Sequence, residues 1–156
     1  MPMKVIEGSL TPPSGKFALV AARFNQRVVQ SLVDGAFDTL VRHGVAKDDI
    51  VLHWVPGSFE IPLVAHAVAA SRQYAAVLCL GAVIRGDTDH YDHVAGAATS
   101  GVAQAGVSTG IPVIFGILTC DTVEQALNRA GLKSGNKGAE AALAAIEMAN
   151  LLKQLG

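Results

Sequence analysis

The stretch IRGDTDHYDH, Ile84 to His93, gathers three aspartates, two histidines, an arginine and a glycine directly after the apolar run AAVLCLGAV. Three chemistries fit such a cluster. As a metal site, His90 and His93 share a face at the start of a helix, with Asp87, Asp89 and Asp92 nearby. No third or fourth ligand stands at a recognisable spacing, so the expectation is that no metal is bound. As a solvated turn, Thr88 or Asp89 caps the helix and the acids favour its positive end. That accounts for the aspartates but not for a histidine at this place. As an anion loop, Gly86 permits close backbone approach, and Asp87, Thr88 and Asp89 precede a helix whose first N–H groups are free. A neighbouring carboxylate is awkward for a phosphate. Arg129 and Lys137, in NRAGLKSGNKG, either supply the cations a phosphate needs or belong to a solvated turn between helices. His90 beside a phosphate would carry protons near neutral pH. Phe24 either stacks on a flat ring or lies as a lid over the core.

The elements that must position these residues are read from apolar periodicity. FALVAA (17–22), IVLHWV (50–55), AAVLCLGAVI (75–84) and PVIFGIL (112–118) read as strands. Asn25 is expected to cap a helix with Val29, Leu32, Val33, Phe37, Leu40 and Val41 on its buried face, ending at Gly44. EIPLVAHAVAAS starts a second helix with proline in its first turn. HVAGAATSGVAQAGVS, TVEQALNRAG and a stretch from about Lys137 to Leu152 complete the helices. KVIEG (4–8) is expected to add an N-terminal strand, and SLTPPSG is the longest loose segment. Successive βα units imply a single α/β domain over residues 1–156, a three-layer α/β/α sandwich. Its parallel sheet would be four-stranded and flavodoxin-like, with helices on both faces. Ligands of such sheets bind at the carboxyl ends of the strands. That rule selects the loops 23–25, 56–60, 85–90 and the region after Phe115.

Composition narrows the function classes. Only 16% of residues are charged against 51% hydrophobic, which implies extensive surface buried between subunits. A net charge of -1 gives no electrostatic case for nucleic acid or an anionic membrane. No apolar run reaches the length of a spanning helix, and MPMKVIEGS lacks the core of a secretory signal. Cys79 and Cys120 stand in apolar surroundings without metal or redox spacing, as reduced thiols of a cytoplasmic protein would.

Longer motifs carry a resemblance. RFN (23–25), WVPGSFEIP (54–62), GAVIRGDTDHYDHVA (81–95), PVIFGILT (112–119), EQALNRAG (124–131) and GNKGAEAALAAIEMANL (135–151) together resemble the lumazine synthase family. The order is the family's and the match covers nearly the whole chain. The resemblance implies a transferase of riboflavin biosynthesis that needs no cofactor. It condenses 5-amino-6-(D-ribitylamino)uracil with 3,4-dihydroxy-2-butanone 4-phosphate, yielding 6,7-dimethyl-8-ribityllumazine, phosphate and water. It further implies that Phe24 stacks on the pyrimidine and that Ser58, Phe59 and Glu60 hold the ribityl chain. Backbone groups of Ala82, Val83 and Ile84 would pair with the pyrimidine edge. Asp87 and Thr88 would meet the phosphate through their backbone, with Arg129 as its cationic partner and Lys137 close by. His90 would be the proton donor. Phe115 and Arg129 would reach the pocket from the neighbouring subunit of the pentamer, so that no single chain holds a complete site.

Asp87 replaces a small residue of many relatives, and Phe59 a tryptophan of some. Family members form pentamers, and those that stop there often carry an insertion between the last two helices. This chain has none, so the expectation is a sixty-subunit capsid, possibly enclosing riboflavin synthase. The alternatives are a catalytically idle flavin- or lumazine-binding module and a purely shell-forming paralogue.

Overall fold

The computed structural model describes residues 2–11, 14–133 and 135–156. Pro12 and Pro13 of the loose N-terminal segment and Ser134 of the last turn lie outside the described residues. Strands β1 (Lys16–Ala22), β2 (Ile50–Val55), β3 (Tyr74–Ile84) and β4 (Val113–Cys120) form one parallel sheet in the order β2-β1-β3-β4. Helices α1 (Gln26–Arg42), α2 (Ile61–Ala70), α3 (His90–Thr109), α4 (Val123–Arg129) and α5 (Lys137–Leu155) follow the strands. The expected three-layer α/β architecture is observed.

Side-chain alternation builds a core on each face of the sheet. Phe17, Leu19 and Ala21 of β1, with Leu78 and Leu80 of β3, face α1, α4 and α5. Ala18, Val20 and Ala22, with Val77 and Cys79, face α2 and α3. Both central strands are buried almost throughout, which is why they read as continuous apolar runs. Among the described residues, no helix is long and apolar enough to cross a membrane.

Three local expectations are corrected. KVIEG forms no strand: the N-terminal segment lies along α5, where side chains take the backbone groups a strand partner would need. Gln154 donates to the Glu7 carbonyl at 2.7 Å, Asn150 donates to that of Ser9 at 2.7 Å, and Gly8 presses against the Glu147 carbonyl. Asn25 occupies the N-cap position of α1 without a side-chain cap bond, because it is left-handed (φ 63°) and its amide points elsewhere. Phe37 is exposed, and Ala36 and Val28 take places on the buried face instead.

Burial pushes the Cys79 thiol up from 9.0 to about 12. An acid raised in this way stays protonated in the folded chain while the unfolded thiol ionises. The stability it contributes is complete below pH 9.0 and is lost as pH rises through about 12. At fixed protein concentration, the denaturant midpoint of the wild type should fall across that window more steeply than that of Cys79→Ala. Equal slopes would refute this role for Cys79.

Candidate active site

The chain winds from β1 outward to β2, then returns to place β3 on the other side of β1. Crevices in open α/β sheets form at such a reversal, above the carboxyl ends of the strands. The ladder between β1 and β2 continues past the strand ends: Arg23 N–H donates to the Val55 carbonyl at 2.7 Å and Phe24 N–H to that of Pro56 at 3.0 Å. Asn25 then turns the chain into α1 and donates its side-chain amide to the Ala82 carbonyl at 2.9 Å. The ends of β1, β2 and β3 are thereby pinned around one opening.

A cleft of about 550 Å³ stands there, walled by Phe24, the segment Pro56–Glu60, His90, His93 and Val94. A smaller recess of about 70 Å³ adjoins it, formed by Ala82, Val83 and Ile84 with Asn25 and Tyr91, and shares Phe24, Ser58 and His90 with the larger space. Phe24 is 72% exposed and Phe59 57%, so both present bare aromatic surface to the opening. A single turn of 3₁₀-helix, Ser58–Glu60, leads into α2, and Pro62 sits at the start of that helix, where its missing N–H costs nothing. The Glu60 carboxylate lies over Gly57, where a Cβ would come within 3.2 Å of it.

Ser58 supplies an unusual detail. Its hydroxyl is buried against Gly81 of β3, and a Cβ on that glycine would come within 2.5 Å of the oxygen. The same oxygen has no hydrogen-bond partner. An unsatisfied buried polar group costs about 1–3 kcal/mol.

The loop after β3 is held at both ends. Arg85 N–H donates to the Cys120 carbonyl at 2.8 Å, extending the β3–β4 ladder. Its guanidinium bonds Asp121 at 2.9 Å, approaches Asp92 at 3.7 Å and lies 4.4 Å from the centre of the Tyr91 ring. The hydrogen bond to Asp121 is the main cause that pushes this guanidinium above its ordinary value. Asp89 takes the N-cap position of α3 without a side-chain cap bond, its carboxylate reaching forward to His93 at 3.4 Å. Thr88 does bond the first turn, its hydroxyl accepting from His90 N–H at 3.3 Å. Gly86 has open space around it. Among the described residues, no group of three or more His, Cys, Asp or Glu gathers as metal ligands would.

Eight of the expected residues therefore converge: Phe24, Ser58, Phe59, Glu60, Ala82, Val83, Ile84 and His90. Asp87 and Thr88 lie exposed on the loop leading to His90. Phe115, Arg129 and Lys137 do not line the cleft. Phe115 pairs with Cys79 in the sheet, three residues before Ala82, or about 10 Å down the strand. Arg129 and Lys137 sit at the end of α4 and the start of α5, helices packed on the opposite face of the sheet from α3. The Arg129 charge acts instead on the Cys120 thiol, opposing the rise that burial causes there.

A family model for 6,7-dimethyl-8-ribityllumazine synthase matches residues 14–153. The chain belongs to this family. Lumazine synthase activity follows: a transferase step of riboflavin biosynthesis that joins ribitylaminouracil to the four-carbon butanone phosphate and releases the lumazine and phosphate. Reasoning from the sequence missed Asn25 as the strut beneath the recess and weighed His93 only as a metal ligand. The one available signal was their place, beside strand ends and one helical turn from His90.

Proposed function

We propose that the cleft is the pyrimidine half of a composite active site, completed by Phe115, Arg129 and Lys137 of an adjacent subunit in a pentamer. The observation that carries this reading is the convergence of eight expected residues around the cleft and its adjoining recess, while Phe115, Arg129 and Lys137 lie away from them. The uracil ring would stack on Phe24, with its polar edge against the backbone of Ala82, Val83 and Ile84. The Ser58–Phe59–Glu60 segment would hold the ribityl chain, with the Glu60 carboxylate accepting hydrogen bonds from its hydroxyls. The backbone of Asp87 and Thr88 would meet the butanone phosphate, with Arg129 as its cationic partner and Lys137 beside it.

His90 would carry protons between these two halves. An amine of the uracil attacks the ketone to give an imine with loss of water, and phosphate leaves by elimination. The enol tautomerises, and the second amine attacks the remaining carbonyl and closes the ring with loss of a second water. Phosphate departure develops negative charge that Arg129 and the N–H groups before α3 would stabilise. The amine is a competent nucleophile already, so much of the acceleration would come from holding two substrates together.

His90→Ala should therefore be slowed by no more than about a hundredfold, the low end of what a positioned proton carrier contributes. Product absorbance after mixing both substrates measures this. Complete loss in an assembled variant, or an unchanged rate, would reject the assignment of His90.

The chain would act as one domain over 1–156, in the cytoplasm, without nucleic acid or membrane as partner. Twelve pentamers would close into the sixty-subunit capsid, which could enclose riboflavin synthase. Exposed Leu63, Val107 and Leu132 supply apolar contact surface, and residues 130–136 join α4 to α5 without an insertion. Light scattering that finds only pentamers across several buffers and phosphate concentrations would reject the capsid.

A further inference from the structure

We infer that Asn136 is a positioning residue for this reaction, fixing Arg129 and Lys137 relative to each other and to α1. The inference rests on the assignment of those two cations to the butanone phosphate. The Asn136 amide uses its full hydrogen-bonding capacity. Its Nδ2 donates to the Ser31 carbonyl on α1 at 3.0 Å and to the Ala130 carbonyl, one residue past Arg129, at 3.3 Å. Its Oδ1 accepts from Gly138 N–H at 2.8 Å and Ala139 N–H at 3.1 Å, capping α5 just beyond Lys137.

One side chain thus touches the end of the helix carrying Arg129, the start of the helix carrying Lys137, and a third helix that anchors both. The seat for it is made by absence. A Cβ on Gly35 of α1 would come within 2.5 Å of the amide, and one on Gly138 would collide with the Leu32 carbonyl.

Arg129 needs such an anchor. Its helix is only seven residues long, too short to hold its own shape. The chain then turns through Gly131 and Gly135, both left-handed (φ 109° and 82°). Across that turn the Asn136 amide and a bridge between Ala130 and Asn136 hold the two ends together. A carboxylate in place of the amide would keep the α5 cap but face two carbonyl oxygens with no hydrogen to give. The end of α4 would lose its side-chain tether and keep only the backbone bridge, while the start of α5 stayed capped.

Two variants test this from opposite sides: Asn136→Asp, and Gly35→Ala, which crowds the amide from α1. Melting temperature, KM for each substrate and competitive inhibition by inorganic phosphate would be measured, with Arg129→Ala as reference. Both variants should raise KM for the butanone phosphate and weaken phosphate inhibition by about three- to tenfold, as a displaced charged contact would. KM for the ribitylaminouracil should not change. A lower melting temperature with both KM values unchanged, or with both raised equally, would make Asn136 merely structural and overturn the inference. If Asn136→Asp fails to assemble, Gly35→Ala decides alone. If Arg129→Ala itself leaves the butanone phosphate KM untouched, the phosphate assignment falls and the inference falls with it. If only the reference behaves as expected, the inference alone is lost.

Discussion

Arg129→Ala is expected to weaken use of the butanone phosphate by about ten- to a hundredfold while leaving binding of the ribitylaminouracil intact. A hydrogen bond to a charged group contributes about 1.5–3 kcal/mol, and a guanidinium can offer a phosphate two at once. In the single chain Arg129 is exposed and does not line the cleft. Its loss should therefore leave that cleft undisturbed. Steady-state kinetics with each substrate varied in turn, beside direct titration of the pyrimidine, would measure the asymmetry. Equal losses for both substrates would remove the guanidinium from the phosphate.

Activity should also reappear when two crippled variants share a ring. One lacks the side chains of Phe24 and Glu60, the other that of Arg129. Identical subunits in a ring make head-to-tail contacts, so on the proposed arrangement every interface would repeat the same composite site. In randomly mixed rings about a quarter of interfaces would join an intact cleft to an intact Arg129, so about a quarter of wild-type activity should return. The variants would be co-expressed, mixed rings confirmed by mass, and product formation compared with each variant alone. Mixed rings no more active than the average of the two would mean that each chain holds its own site.

Much of the fold was legible because the two buried central strands carry an unbroken apolar signal. β1, β2 and β3 begin and end within a residue of where the apolar runs place them, and β4 within two. The apolar run of α3 begins only at Val94, but the polar cap at Thr88 and Asp89 marks its start at His90, and Tyr91 of that first turn packs against the core. Asn25 was misread. Its side-chain partner, the Ala82 carbonyl, lies 57 residues away, and local capping rules see only near neighbours. The N-terminal segment has strand-like residues but takes its hydrogen bonds from α5 side chains, which no pattern within KVIEG reveals.

The candidate site divided along the same line. Strand-end loops pointed to Phe24, Glu60 and His90 by position alone, and the cleft gathers them. No spacing could tell that the sheet stands between His90 and Arg129. That separation depends on which face each helix covers, and so on the order in which the strands are laid down. Asn136 was equally hidden, since its importance lies in bonds to Ser31 and Ala130 rather than in its own neighbourhood.

A newly made copy that has folded but met no neighbour carries Leu63, Val107 and Leu132 bare in water, each more than two-thirds exposed. Folding is unimolecular, but finding a second copy is not, so slow synthesis lengthens the solitary interval. During that interval these bare apolar side chains are open to whatever apolar surface arrives first. Dose therefore governs yield. A cell making this chain sparingly should lose a larger share of it than one making it in bursts, although every copy folds equally well.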